Sequence, residues 1–116
     1  MIGTSKPKKM SEFYEKVLGK KADWQAGNWS GYQVGSTHLT IGEHSEVKGG
    51  AKEPQRILFN FETDDVKGEF ERIKGLGTKV IKEPYAPDEA PEMWIATFAD
   101  PDGNYFQLMS PMGDIK

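Results

Sequence analysis

The sequence predicts an α+β fold made of two βαβββ modules, and three observations carry that prediction. Two segments show the apolar spacing of amphipathic helices, each helix is followed by a Trp-opened strand, glycine turn and strand, and the two halves of the chain repeat one another. At 116 residues and 13.0 kDa the chain suits one domain, 1–116, with module one at about 1–47 and module two at about 55–112.

Taken in order, MIGTS leaves room only for a short first strand. A helix follows, opened by Ser5 or Pro7, with Met10, Phe13, Tyr14, Val17 and Leu18 recurring on one face and Gly19 as its stop. The second helix runs from Asp64 or Asp65 to Lys74, with Val66, Phe70 and Ile73 apolar and Gly75 or Gly77 ending it. SEFYEKVLGKK and GEFERIKGLGTK share an EF pair and a terminal glycine, and WSGYQVGSTHLTI lies against WIATFADPDGNYFQLM. In the second copy the strands fall at 56–63, 79–83, 93–99 and 104–110, with the Pro-rich loop EPYAPDEAPE between the second and third of these. Sheets covered by helices on one face leave the other free, and function is sought there.

Composition removes several function classes. The chain has no cysteine, which excludes disulfides, thiolate metal sites and a cysteine nucleophile. A net charge of −3 and a pI near 5.4 argue against a nucleic-acid partner, and Lys6, Lys8 and Lys9 read as a solvated helix edge. No apolar run approaches the roughly 20 residues that span a bilayer, and the N-terminus lacks a signal-type segment, so a cytoplasmic protein without a membrane partner is expected.

FYEKVLGKK, FNFETDDV and above all FADPDGNYFQL resemble the vicinal oxygen chelate superfamily of glyoxalases, bleomycin-resistance proteins and extradiol dioxygenases. The resemblance spans essentially the whole chain. It implies paired βαβββ modules, each folding a sheet into half of a cup around a ligand, commonly in a homodimer. In the enzymes of that superfamily a divalent metal is held on the first and last strands of each module by His, His or Gln, and Glu. Carried over by position, the resemblance puts Gln107 where glutamate is usual, Thr40 at its first-module counterpart and Leu58 at a histidine position, with the fourth falling at or before Met1. Leu58 has no lone pair, and Thr40 and Gln107 bring no charge to offset dehydration of a divalent cation, so no metal and no other cofactor is expected. His38 and His44 are six residues apart, roughly 20 Å along one strand, too far to share an ion.

Strand alternation sends Tyr105 and Met109 to the face of Gln107 and puts Phe106 and Leu108 under the helix. If the DPDG turn pairs Asp100 with Gly103, Ala96 opposes Gln107 and Trp94 opposes Met109, so Trp94 joins the lining. Leu58, Asn60 and Glu62 follow on the first strand of module two, and Trp29, Gly31, Gln33, His38 and Thr40 are their first-module partners. The candidate ligand-binding set is therefore Trp29, Gln33, His38, Thr40, Leu58, Asn60, Trp94, Tyr105 and Gln107: aromatic walls with a few amides and hydroxyls, as in small-molecule pockets. The same aromatics would also suit the filling of a small core or contact with a second subunit.

No catalytic residue is identified. Glu62 is the best acid/base candidate, but it stands at the strand's end beside TDD, where a solvated or helix-capping carboxylate is the expected reading. Tyr85 in the Pro-rich loop reads either as part of a flap or as a solvated connection. A short first strand exposes a sheet edge that a second subunit would cover, so a homodimer is expected. The leading reading is a metal-independent small-molecule binding protein. A metal-dependent lyase, isomerase or dioxygenase and a protein-interaction module are the alternatives.

Overall fold

The computed structural model describes residues 1–88 and 90–111. Glu89 of the Pro-rich loop and residue 112, the expected end of module two, lie outside the described residues. The chain divides into two compact units, Met1–Ala51 and a second beginning at Lys52.

The first unit consists of β1 (Ile2–Thr4), α1 (Pro7–Leu18), β2 (Trp24–Ala26), β3 (Trp29–Val34) and β4 (Thr37–Glu43), with sheet order β1-β4-β3-β2. Only β1 runs parallel to its neighbour, β4. Pro7 occupies the first turn of α1, where its missing N–H is not needed, and Gly19 ends the helix at φ 70° with its N–H on the Glu15 carbonyl at 2.8 Å. Met10, Tyr14 and Val17 form the buried stripe of α1, which packs on β3 and β4. Tyr32 is fully buried and its hydroxyl donates to Glu15 Oε2 at 2.9 Å, while Ser11 and Ser30 share a hydroxyl contact at 3.3 Å. Ser30 and Tyr32 therefore face the helix, and Trp29, Gly31 and Gln33 face away.

The second unit repeats this plan with β5 (Phe59–Glu62), α2 (Val66–Gly75), β6 (Lys79–Tyr85), β7 (Ile95–Ala99) and β8 (Tyr105–Met109), ordered β5-β8-β7-β6. The expected α+β fold of two βαβββ modules is what the chain adopts. Asp65 caps α2 by accepting from Gly68 N–H at 2.9 Å. The helix passes through Gly75 and ends at Leu76, with Gly77 beyond it at φ 89°. Phe70 of α2 stacks on Phe98 at 5.2 Å, Phe98 on Phe106 at 5.5 Å, and Phe61 meets Phe106 edge-on at 5.8 Å. These rings fill the space between sheet and helix, as the alternation of FNF and YFQL predicts. Among the described residues no helix is long and apolar enough to cross a membrane.

Two expectations need correction. The first concerns the β7–β8 hairpin: Gln107 opposes Thr97, not Ala96, and Met109 opposes Ile95, not Trp94. The ladder closes with Asp100 N–H donating to the Asn104 carbonyl at 2.8 Å, so the loop holds three residues and not two. The Asp100 carboxylate accepts from the backbone N–H groups of Asp102 and Asn104, both at 2.9 Å, and from Asn104 Nδ2 at 3.0 Å. Gly103 sits at φ 82°, the left-handed position that such a turn requires and that a side chain would strain. One extra loop residue shifts the register by one, and a one-residue shift sends every side chain of β7 to the opposite face. Trp94 is therefore not in the lining: its backbone pairs with Ser110, and Lys67 of α2 sits 3.8 Å above its ring, on the helix side.

The second correction concerns Tyr85. It belongs to β6, paired with Ile95, so EPY is strand and the Pro-rich connection starts only at residue 86.

Candidate ligand-binding faces

Each sheet has one side away from its helix, and register fixes which residues share it. In the first unit Trp24 lies opposite Gly31, Gly31 opposite Thr40, Trp29 opposite Gly42, and Gln33 opposite His38. Trp29, Gln33, His38 and Thr40 thus occupy one face, as expected. Trp24 joins them unforeseen, 48% exposed, with Trp29 at 37%. A methyl group built on Gly31 would fall inside the Trp24 indole, and one on Gly42 inside that of Trp29. Each indole therefore lies flat on a glycine and turns its other side outward. The alternation of DWQAGNWSG, a short strand, a glycine turn and a strand, was the signal for Trp24.

Asp23 braces the edge of this face. Its carboxylate accepts from Gln33 N–H at 2.6 Å and from Lys20 Nζ at 2.7 Å, and these two contacts hold its pKa below the usual 3.8. Gln33 Nε2 is itself turned to the Gly35 carbonyl at 3.3 Å. His44 lies beyond β4, its N–H on the Thr4 carbonyl and its Nδ1 accepting from Glu46 N–H at 3.1 Å, a turn-closing role. A depression of about 480 Å³ lies along α1, lined by Glu12, Glu15, Lys16, Gly19, Lys20 and Lys21, and not by the candidate residues.

In the second unit Asn60, Gln107, Thr97 and Lys82 form one level row across β5, β8, β7 and β6. Asn60 and Gln107 are brought together as expected; Thr97 and Lys82 enter through the corrected register. Gln107 Nε2 donates to Thr97 Oγ1 at 3.4 Å, and Thr97 is only 6% exposed. Glu62, Met109, Ile95 and Tyr85 make the row above, and Tyr105, Ala99 and Lys79 the row below. The polar row is thus flanked by apolar and aromatic side chains, with one charge in each flanking row, Glu62 on β5 and Lys79 on β6. Leu58 stands just before β5 and is 40% exposed.

These donors do not suit a divalent cation. Gln107, Asn60 and Thr97 are neutral, Lys82 carries a like charge, and Glu62 stands alone at the β5 edge. Among the described residues no three His, Cys, Asp or Glu side chains gather as a metal site. A hydroxyl, two amides and an ammonium are the polar groups that such a row offers to a small organic molecule.

Residues 1–109 match the family described as a glyoxalase-like domain. Among curated proteins, nothing matches significantly. The fold is similar to that of a glyoxalase/bleomycin resistance protein/dioxygenase family enzyme from Burkholderia phytofirmans PsJN, at TM-score 0.75 and 23% identity over 94% of this chain and 93% of that one. A glyoxalase/bleomycin resistance protein from Catenulispora acidiphila superposes at TM-score 0.72 and 16% identity, over 95% and 93% of the two chains. A mutant of the fosfomycin resistance protein FosX from Listeria monocytogenes, solved with Mn(II) and 1S,2S-dihydroxypropylphosphonic acid, superposes at TM-score 0.69 and 18% identity, over 96% and 86%.

Proposed function

Because the chain belongs to the glyoxalase-like domain family, we propose that it is a bleomycin-resistance-like protein that binds a small organic ligand on the helix-free face of its second sheet without a metal ion. The observation that carries this reading is the row Asn60–Gln107–Thr97–Lys82. A half-buried amide on a face away from the core is retained where something wet or polar meets it, since leaving it unsatisfied costs about 1–3 kcal/mol. The flanking Tyr85, Ile95, Met109 and Tyr105 supply the apolar contact that such a ligand needs. A cytoplasmic homodimer is part of the proposal; the three-residue edge strand β1 supports the dimer.

The test is calorimetric and NMR titration of the purified protein with a panel of planar aromatic compounds, repeated on Gln107→Ala. Binding that weakens about tenfold in the variant, a loss of about 1.4 kcal/mol, supports the reading, while affinity unaltered by the substitution, or no binding across the panel, overturns it. A metal-dependent enzyme is the second reading, favoured by the Mn(II) in the FosX structure. Titration with Mn(II), Ni(II), Zn(II) and Fe(II) separates the two: stoichiometric metal uptake that Gln107→Ala abolishes would replace the first reading with the second.

A further inference from the structure

We infer that the ligand of this face carries an anionic group, a carboxylate or comparable small oxyanion, seated beside Lys82. The inference rests on the proposed binding face and names the chemical class that the face selects.

Its basis is the way β6 is bent. Val80 pairs with Phe98, and a regular antiparallel ladder would then place Ile81 opposite Thr97 and Lys82 opposite Ala96, on the helix side. Instead the register slips twice, so that Lys82 opposes Thr97 and Tyr85 opposes Ile95. Such bulges add a residue to one strand and re-aim its side chains. Pro84, which has no N–H to give a ladder, lies within the second slip and suits an edge strand. The first irregularity thus turns the Lys82 ammonium onto the candidate face, and the second returns the Tyr85 phenol to it, opposite Ile95.

The charges on that face are also ordered. Lys82 and Lys79 stand on β6 at one edge, and Glu62 stands on β5 at the other, three strand spacings or about 14 Å away. Between them lie only neutral donors. Lys82 has no carboxylate partner among the described residues; its Nζ rests 5.3 Å from the centre of the Tyr85 ring. The Thr97 oxygen accepts from Gln107, which leaves the hydroxyl hydrogen free to donate. An oxyanion at this end gains a charge-assisted contact from Lys82 and a hydroxyl donor from Thr97, whereas at the other end it meets Glu62. The neutral remainder of the ligand then extends along Gln107 and Asn60.

Matched probes test this: 4-hydroxyphenylacetate, its uncharged amide 4-hydroxyphenylacetamide, and the pair indole-3-acetate and indole-3-acetamide, titrated by NMR and calorimetry at low and at high salt. The wild-type protein should prefer each acid over its amide by about tenfold, with the preference shrinking in salt. Lys82→Met, which keeps the apolar stem, should erase the preference by weakening the acid and leaving the amide unchanged. Lys48→Met, of the same net charge change but in the first unit, should retain it. Acids and amides that bind equally well to the wild-type protein overturn the inference while leaving the binding face intact, as does a preference that survives Lys82→Met. Failure of all four probes together with the wider aromatic panel overturns both.

Discussion

On the first sheet the side away from the helix is floored by glycines and roofed by indoles, Trp24 over Gly31 and Trp29 over Gly42; on the second, the matching positions hold Thr97 and Met109. The correspondence follows from the ladders, where Gly31 faces Thr40 as Thr97 faces Gln107. The helix-covered sides are finished alike, with Tyr32 and Phe98 fully buried at equivalent places. A repeated scaffold has kept its packed faces and diverged on its open ones. Packing allows few solutions on the side that must bury a helix stripe, while the open side is restrained only by what it meets.

The comparison breaks first if the packed faces do not carry the stability. Phe98→Ala removes the ring stacked between Phe70 and Phe106, and urea denaturation should show a loss of about 3–5 kcal/mol. Thr97→Ala, next in sequence but on the open face, should lose about 1 kcal/mol or less. Equal losses would show that the second sheet does not have one packed and one open side.

A smaller effect sharpens the contrast between the two open faces. Gly31→Ala or Gly42→Ala drives a methyl group into an indole and should destabilise by about 1–3 kcal/mol. Adding Trp24→Ala to Gly31→Ala should recover part of that loss, so the double change is less than the sum of the singles. Strict additivity would mean that the indole does not rest on the glycine.

The smallest effect is one of pH. The Asp23 carboxyl is held below its usual value by the Gln33 N–H and Lys20, so its folded pKa lies under its unfolded one. Its contribution is fully present above the unfolded value and is lost as pH falls through the folded one. The stability of Asp23→Asn should accordingly depend less steeply on acid than that of the wild-type protein between about pH 5 and pH 2. Parallel urea midpoints across that range would exclude the brace.

How far the site was legible varied from residue to residue. FNF and YFQLM alternate so cleanly that the sequence alone places Asn60 and Gln107 on one face, and the parallel pairing of β5 with β8 sets them side by side. Trp94 is placed on the wrong face by the sequence, because its side depends on a single loop residue counted correctly, and that count is decided by how the Asp100 carboxylate gathers the N–H groups around it. Lys82 was beyond reach for a similar reason: periodicity sends it to the helix side, and only the bulges of β6 turn it out.

Local chemistry in the sequence was enough to determine the two helices and the strand, helix and three-strand plan of each repeat, since these follow from spacing of 2.0 or 3.6 residues and from glycines and aspartates near the helix ends, while the family was implied by the resemblance of FADPDGNYFQL. Tertiary structure alone decided which side chains share a face where a strand is bulged or a turn holds one more residue. A slip of one residue leaves composition and pattern unchanged but reverses every side chain, and its sign is settled by hydrogen bonds between strands that are far apart in the chain.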